Sequence, residues 1–474
     1  MWRDIFTSCS SLWTEFDCEN ADKTRVYLDR SKSSPIGLWI WRNGDLSPDD
    51  PFFQVIPYAI HRLKSLVIHG SPEDLTEAAA QLSHPAPLLE SLTVKSGSEH
   101  NPQWSQRIPT ILFNGDLSSL RKLRLEWIRT ELPWRNMINL TSFTLRRMTY
   151  GDLSVCNILD FFESAPNLCN IELYSITPTS GVQKGRLVLL GHLKRMVIEG
   201  GPPSLLLDYL LIPAGAELTS TGGDLFGTDF EDLLPESFDN LGNLSDFTEI
   251  RLYVYGTLPR LQFSGPNGKL CLVPATLLFD TTIPALSSLA EFDTSKTERL
   301  EIVGGRSKFE DYLYQALLPM ENLRVLTLSR CEDISSFAQA LRPRMGSSEV
   351  MVCPKLEELV LVPSTEGEVF NIGDVVDVVT ARASRGAKLR TVRMVGRWGL
   401  DERDVSGLKK HILSVEFSPG VRAEGDDGYY GDSGDESDDD SGDKSDDDSS
   451  GGSNDGGESG DCGDEDGDDN NEED

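Results

Sequence analysis

The residues able to do chemistry are few and poorly placed for it. Six histidines, at 61, 69, 84, 100, 192 and 411, are scattered, with no HExxH or Cys/His spacing that would hold zinc. No GxxxxGK[ST] phosphate loop and no strand-linked GxGxxG occurs. Gly431-Asp432-Ser433-Gly434 echoes a serine-protease nucleophile motif, but it lies in a low-complexity stretch with no fold to hold a base beside it. Asp464-x-Asp466-x-Asp468 begins like a calcium loop, yet Asp469 stands where the turn needs glycine. Eight cysteines (9, 18, 156, 169, 271, 331, 353, 462) show no paired spacing and read as reduced, mostly structural thiols. The chain thus reads as a non-enzyme that needs no cofactor and no metal. Its function must lie in binding.

The elements that would position a binding surface are written in one recurring phrase, apolar-x-x-apolar-x-apolar. It runs Leu63-x-x-Leu66-x-Ile68, Leu89-x-x-Leu92-x-Val94, Leu120-x-x-Leu123-x-Leu125, Leu140-x-x-Phe143-x-Leu145 and Leu168-x-x-Ile171-x-Leu173. It resumes at Leu193-x-x-Met196-x-Ile198, Phe247-x-x-Ile250-x-Leu252, Leu323-x-x-Leu326-x-Leu328, Leu356-x-x-Leu359-x-Leu361 and Leu389-x-x-Val392-x-Met394, with a shorter Leu300-x-Ile302. This is the leucine-rich-repeat phrase. Two apolar side chains two apart share one face of an extended backbone, and the residues between them face solvent. One unit cannot bury its apolar face alone, so units must stack. The middle apolar positions step by 26, 31, 20, 28, 25, 54, 50, 26, 33 and 33 residues. The two long steps each suggest one degraded repeat, with Leu218 and Leu270-x-Leu272 as fillers. The others fall in or near the ~20–29 residue period of this repeat.

Between phrases, Ser154–Ala165, Phe309–Leu318 and Ile334–Leu341 carry helical spacing. The expected fold is therefore α/β. It is a leucine-rich-repeat-like solenoid, with a curved parallel sheet and helices on the outer face. A short helical N-terminal remnant precedes it, and a disordered acidic C-terminal tail follows. The expected divisions are 1–45, 46–423 and 424–474.

Net charge is −33, unevenly spread. Residues 424–474 hold 24 Asp/Glu against one Lys, for −23, which leaves 53 acids and 43 bases, or −10, for the rest. The tail has almost no apolar residues and cannot build a core. Ser433, Ser437 and Ser445 each have an acid three residues on, as acidophilic kinases require, and phosphate there would deepen the charge. An acidic surface argues against direct nucleic-acid binding. Met1-Trp2-Arg3-Asp4 does not open a signal peptide. The longest apolar run, Leu205–Ile212, is interrupted by Asp208 and too short for a bilayer. No membrane partner is expected, and the expected location is cytoplasm, nucleus or both. Asn139-Leu140-Thr141 fits the glycosylation pattern, which carries no weight without secretion.

The first residues are unusually apolar for an opening. Trp2 and Ile5, then Leu12 and Trp13, have little preceding chain to bury them. The segment W-R-D-I…S-L-W-T-E-F-D resembles the last helix of an F-box and the stretch leading out of it. Followed by HRLKSL, PAPLLESL, DLSSLRKLRL, NLTSFTL and DFFESAPNL, it is similar to the large fungal family of F-box proteins with degenerate leucine-rich repeats, over about residues 1–420. That resemblance implies docking on the adaptor subunit of a cullin-type ubiquitin ligase through Trp2, Ile5, Leu12 and Trp13, with the repeats holding an unknown target protein. The Leu-Pro-rich helix start that makes much of the adaptor contact should lie before Trp2 and is absent from the sequence. Either the true start lies upstream, or the protein has lost ligase docking and serves as a ligase-independent scaffold.

Binding would live on the outward strand positions. Lys122, Arg124, Arg146, Tyr174 and Arg195 form one candidate patch, basic and partly aromatic. Arg251, Tyr253 and Tyr255 form a second, because exposed tyrosines suit interfaces. The competing expectation is an ordinary solvated face of mixed charge. The usual reading of the acidic tail is a solvating run; a sharper one has it, tethered to the same chain, fold back on the basic positions and compete with an acidic partner.

Overall fold

A computed structural model of the chain describes residues 2–418 apart from 42–50, 98–106, 109–111, 131–136, 148–152, 177–184, 201–202, 223–229, 231–232, 236–239, 243–245, 255–258, 275–285, 288, 290–291, 305–309, 332–333, 343–350, 364–371 and 396–401. The chain divides into two units, Met1–Val421 and Arg422–Asp474. The second, with the expected disordered tail and Ser433, Ser437 and Ser445, lies outside the described residues.

The first unit is α/β and is built on one large, mostly parallel sheet of 17 strands. In chain order these are β1 (Glu15–Asp17), β2 (Ile36–Trp41), β3 (Leu63–Gly70), β4 (Ser91–Ser96), β5 (Lys122–Glu126) and β6 (Ser142–Arg146). Next come β7 (Asn170–Tyr174), β8 (Arg195–Glu199), β9 (Glu217–Thr221), β10 (Glu249–Tyr253), β11 (Arg260–Gly265) and β12 (Gly268–Val273). The last five are β13 (Arg299–Val303), β14 (Val325–Ser329), β15 (Glu358–Val362), β16 (Thr391–Val395) and β17 (Ser414–Ser418). The last two apolar positions of all ten phrases and Leu300-x-Ile302 lie on strands, and so do the two fillers, on β9 and β12. The sheet also starts earlier than the expected division at 45, because β1 and β2 are its first strands.

From β1 to β9 each strand pairs in parallel with the next in sequence. The order then breaks. β9 takes β12 as its neighbour, β12 and β10 both pair antiparallel with β11, and β10 runs parallel to β13. From β13 to β17 simple succession returns. The reversal turns on a two-residue hairpin, with Gly265 opposite Gly268 across Pro266-Asn267. A Cβ on Gly265 would lie 2.6 Å from the Asp246 carbonyl oxygen, so no larger residue fits. Asp246 also accepts from Asn267 Nδ2 at 3.1 Å and pairs with Lys296, which pins the hairpin to the chain on both sides.

Register stacks the apolar pairs. Leu66, Leu92, Leu123, Phe143, Ile171, Met196, Leu218 and Leu270 are cross-strand partners in one row, all buried. Their core is continuous with the buried faces of the helices. Helix Val155–Ser164 starts at Ser154, whose hydroxyl accepts from Asn157 N while Asn157 returns the bond, a capping box. It buries Val155, Ile158, Leu159, Phe161 and Phe162, and Phe143 meets the Phe161 ring at 4.4 Å. Helices Glu310–Leu317, Ile334–Leu341, Ile372–Ser384 and Glu402–Lys409 pack successively against one another.

Two backbone devices recur at the strand ends. Before the strand, an asparagine preceding the phrase donates its amide to the previous turn. Asn139 Nδ2 bonds Ser118 O, Asn167 bonds Ile138 O and Asn322 bonds Ser295 O, each at 2.7 Å. After the strand, the chain turns through a left-handed residue whose N–H donates to the last carbonyl of the next strand. Trp127 (φ 57°) bonds Arg146 O at 3.0 Å, Arg147 (φ 56°) bonds Tyr174 O at 2.7 Å, and Ser175 (φ 49°) bonds Glu199 O at 2.6 Å. Gly200 (φ 79°) bonds Thr221 O, Gly304 (φ 88°) bonds Ser329 O, and Arg330 (φ 54°) bonds Val362 O. Side chains in this region cost about 1–2 kcal/mol each, and the ladder bond holds them there. A Cβ on Gly200 would also lie 3.0 Å from Ser175 Cα. Gly200→Ala should therefore destabilise the chain by about 1–3 kcal/mol, read as a lower denaturation midpoint with an unchanged m-value. A midpoint within error of the parent would show that the turn is free to relax.

Candidate functional site

The outward face of the sheet is a grid of side chains set by register. Lys122, Ser142, Asn170 and Arg195 form one row, Arg124, Thr144, Glu172 and Val197 the next, and Glu126, Arg146, Tyr174 and Glu199 the third. The structure thus brings together all five residues of the first candidate patch, but with carboxylates among them. Glu126, which the sequence did not single out, is 5% exposed. It accepts from Arg124 Nε at 2.7 Å and also lies 3.6 Å from Arg146 Nε. The Arg146 guanidinium stacks over the Tyr174 ring at 4.2 Å, and Thr144 Oγ1 reaches Glu172 at 3.4 Å. Burial, with the charge of Glu172, pushes the Tyr174 phenol up from its ordinary pKa. The four cations Lys122, Arg124, Arg146 and Arg195 face the three carboxylates Glu126, Glu172 and Glu199. The grid is therefore a mixed-charge surface in which one buried carboxylate bonds the Arg124 guanidinium and lies close to that of Arg146.

The second candidate patch is organised the same way. Arg251 Nη2 bonds Glu249 at 2.9 Å and its Nε lies 3.4 Å from Glu301. Burial opposes its charge, but the bonds to Glu249 and Tyr253 and the nearby Glu301 outweigh it, so its pKa is raised. Tyr253 stands in register with Arg260 and Val303, and Tyr255 lies outside the described residues.

At the N-terminal end the sequence-singled residues divide by role. Trp13 Nε1 donates to Phe6 O at 2.8 Å, its ring meets Tyr27 edge-on at 5.1 Å, and Arg30 lies 4.3 Å over it. Trp13 therefore clamps helix Trp2–Ser8 to helix Ala21–Ser31. Trp2 (71% exposed) and Leu12 project to solvent together with Phe6, which the sequence reading passed over. The side chain of Ile5 lies outside the described residues. Two more exposed tryptophans, Trp39 and Trp41, stand on the outward face of β2, with Trp41 4.4 Å from the His69 ring. Their i, i+2 spacing on a strand was the available signal.

Along the edge where strands begin, Pro35, Lys64, Pro87, Leu88, Glu90 and Arg121 line a shallow groove of about 320 Å³. Lys64 and Glu90 lie 3.8 Å apart across it, and no reactive pair faces it. Among the described residues no group of three or more His, Cys, Asp or Glu is placed to hold a metal ion. No helix among them is long and apolar enough to cross a membrane.

The buried cysteines are structural. Cys331 Sγ bonds the carbonyls of Gly304 at 3.0 Å and Ser329 at 3.4 Å, tying the turn after β14 to the turn after β13. The carbonyls of Val352 and Cys353 accept from Arg382, a fully buried guanidinium that clamps the turn before β15. No protein-family model matches the chain, and no curated protein matches it.

Burial pushes the Cys331 and Cys353 thiols up to about 12, so both stay protonated, and poorly nucleophilic, at pH 8. Brief iodoacetamide treatment at pH 8 should label exposed Cys9 and leave 331 and 353 unlabelled until denaturant is added. Early labelling of either buried thiol, read by peptide mass spectrometry, would contradict this packing. Glu126→Ala should free two guanidiniums and move elution from a heparin column to higher salt. Unchanged elution would mean that Arg124 and Arg146 are not presented on one accessible surface.

Proposed function

We propose that the sheet and its helices form a leucine-rich-repeat-like solenoid that binds a target protein on its outward face. We further propose that the chain is a substrate receptor of a cullin-type ubiquitin ligase, working in cytoplasm, nucleus or both. The repeat reading is supported by the phrase on successive parallel strands and by the left-handed residue that closes them. It gains from Leu323-x-x-Leu326-x-Leu328-x-x-Cys331, which fits the longer repeat phrase with Cys in its Asn/Cys position.

One observation carries the receptor reading. Trp2, Phe6 and Leu12 stand exposed on a short helical segment that Trp13 holds in place beside the first strands. Large apolar side chains left in water on a fixed segment mark a docking surface. Here it matches the segment whose resemblance implies adaptor docking. The target would then meet a surface of Arg–Glu pairs, a cation–π pair and exposed tryptophans. Aromatic and Arg anchors of this kind carry most interface energy.

The second reading, a ligase-independent scaffold, is favoured by the three contacts that Trp13 makes with Phe6, Tyr27 and Arg30. They tie the segment down as a cover for the end of the sheet, a role that needs no adaptor. Co-purification of the full chain with recombinant adaptor subunit separates the two. Stoichiometric recovery, lost in a Trp2→Ala, Phe6→Ala, Leu12→Ala variant that keeps its circular dichroism, is the expected outcome. No recovery, even with an upstream-extended chain, would leave the scaffold reading.

A further inference from the structure

The two edges of the sheet are finished differently, and the difference does not depend on the proposed function. β1 is three residues long, with charged Glu15 and Asp17 on its outward side. Helix Ala21–Ser31 covers it. Tyr27 packs on Phe16 at 5.3 Å, Lys23 bonds Asp17 at 2.7 Å, and Thr24 Oγ1 takes the Asp17 carbonyl at 3.3 Å. Short, charged and covered edges resist pairing with another chain.

At the other edge β17 pairs with β16 only, and no described strand takes its outer side. Val415 and Phe417 continue the two core rows, opposite Val392 and Met394. Met394 and Leu361 are fully buried in the Phe417 row, whereas Phe417 is 50% exposed. Leu413 is odder still. Its N–H continues a backbone ladder through Arg324, Glu357 and Arg390, positions that are all charged. At the end of that row stands a leucine that is 82% exposed. Helix Glu402–Lys409 packs on β17 and Val415 is partly buried, but Phe417 and Leu413 are left exposed where the strand ladder stops.

The strand is self-complementary. Laid antiparallel on a second β17 about Glu416, Val415 of each copy meets Phe417 of the other, and Ser414 meets Ser418. An aromatic opposite a β-branched residue is a favourable cross-strand pair. The two Glu416 carboxylates face one another, each already bonded by Arg393 at 3.1 Å within its own copy. Against this stands charge. Each copy carries −33, and −23 of it begins at Glu424, six residues after Ser418. Like charge tethered so close to an edge opposes its pairing, over about 30 Å at 10 mM salt but only about 3 Å at 1 M.

We propose that the outer edge of β17 is a self-association surface, taking β17 of a second copy antiparallel, and that the charge from Glu424 onward holds this pairing off at low salt. The full chain should sediment as a monomer in 10 mM NaCl. In 1 M NaCl its mass should double with rising concentration. Phe417→Asp, at a half-exposed position, should keep its circular dichroism and stay monomeric in 1 M NaCl. With Cys9 changed to Ser, Glu416→Cys should give an oxidised dimer in 1 M NaCl, linked 416 to 416 by peptide mapping. Ser414→Cys, whose mate is Ser418, should not. A monomer at every salt and concentration overturns the proposal, and so does a dimer that survives Phe417→Asp. If the full chain stays monomeric while a chain ending at Val421 dimerises through position 416, the edge is occupied by residues 422–474 instead. A full-chain dimer equally strong in 10 mM NaCl overturns the role given to charge.

Discussion

The rest of the structure depends on one constraint, the lateral hydrogen bonding of short parallel strands in register. A five-residue strand with two inward side chains cannot shed enough water to stand alone. Only when Leu123 lies on Leu92 and under Phe143 does the pair become core. Strands in a sheet sit about 4.8 Å apart, so each loop must return the chain by that small step and no more. The asparagine bond before the strand and the left-handed turn after it fix where pairing begins and stops. What happens between them is free to vary. That is why successive phrases and fillers stand 20 to 33 residues apart while their apolar pairs stay in register.

The same spacing governs the outward face. Side chains in a row sit close enough for like charges to cost energy, so cations and carboxylates interleave. Glu126 is the clearest case, a nearly buried carboxylate that holds Arg124 and approaches Arg146. Removing such a carboxylate would leave guanidiniums facing each other; keeping it fixes their planes. A partner therefore meets oriented Arg–Glu pairs rather than a field of loose positive charge. Orientation favours selectivity, because surface ion pairs add little energy of their own. Long-range attraction to a polyanion is correspondingly weak.

Periodicity made the strands legible. An apolar pair at i and i+2 fixes a strand's inward face whatever its neighbours, so the apolar pair of every phrase found in the sequence lies on one, as do Leu218 and Leu270-x-Leu272. Helices Val155–Ser164 and Ile334–Leu341 were equally plain from spacing and from Pro166. The phrase is silent about spatial order. β10 to β12 each carry suitable apolar residues, and nothing in them says that β12 rather than β10 meets β9; the Gly-Pro-Asn-Gly stretch at 265–268 was the one hint of a hairpin. Left-handed turns at Trp127, Arg147 and Arg330 were invisible, because glycine, their usual sign, is replaced by large residues held by a ladder bond. In the candidate site, the five residues of the first patch fall on three adjacent register rows on one side of the sheet. Their carboxylate partners went unweighed because pairing across strands depends on register. Exposure of Phe6 was likewise unreadable, and the i, i+2 spacing of Trp39 and Trp41 signalled a shared strand face without saying what covers it.

An open sheet has two edges however many strands it contains, and the cost of an edge does not shrink as the sheet lengthens. Interior strands share their apolar rows with two neighbours; a terminal strand shares with one. At β1 the deficit is met locally, by a very short strand and a helix whose Tyr27, Lys23 and Thr24 take over the ring, the charge and the carbonyl that a next strand would have met. At β17 helix Glu402–Lys409 packs on the strand but no described strand takes its outer side, and Leu413 is apolar where its row mates Arg390, Glu357 and Arg324 are charged. An open apolar edge is compatible with a soluble chain when copies repel one another strongly enough to keep edges apart. Most of the net charge of this chain follows the open edge in sequence, so the edge and the charge make physical sense as one device.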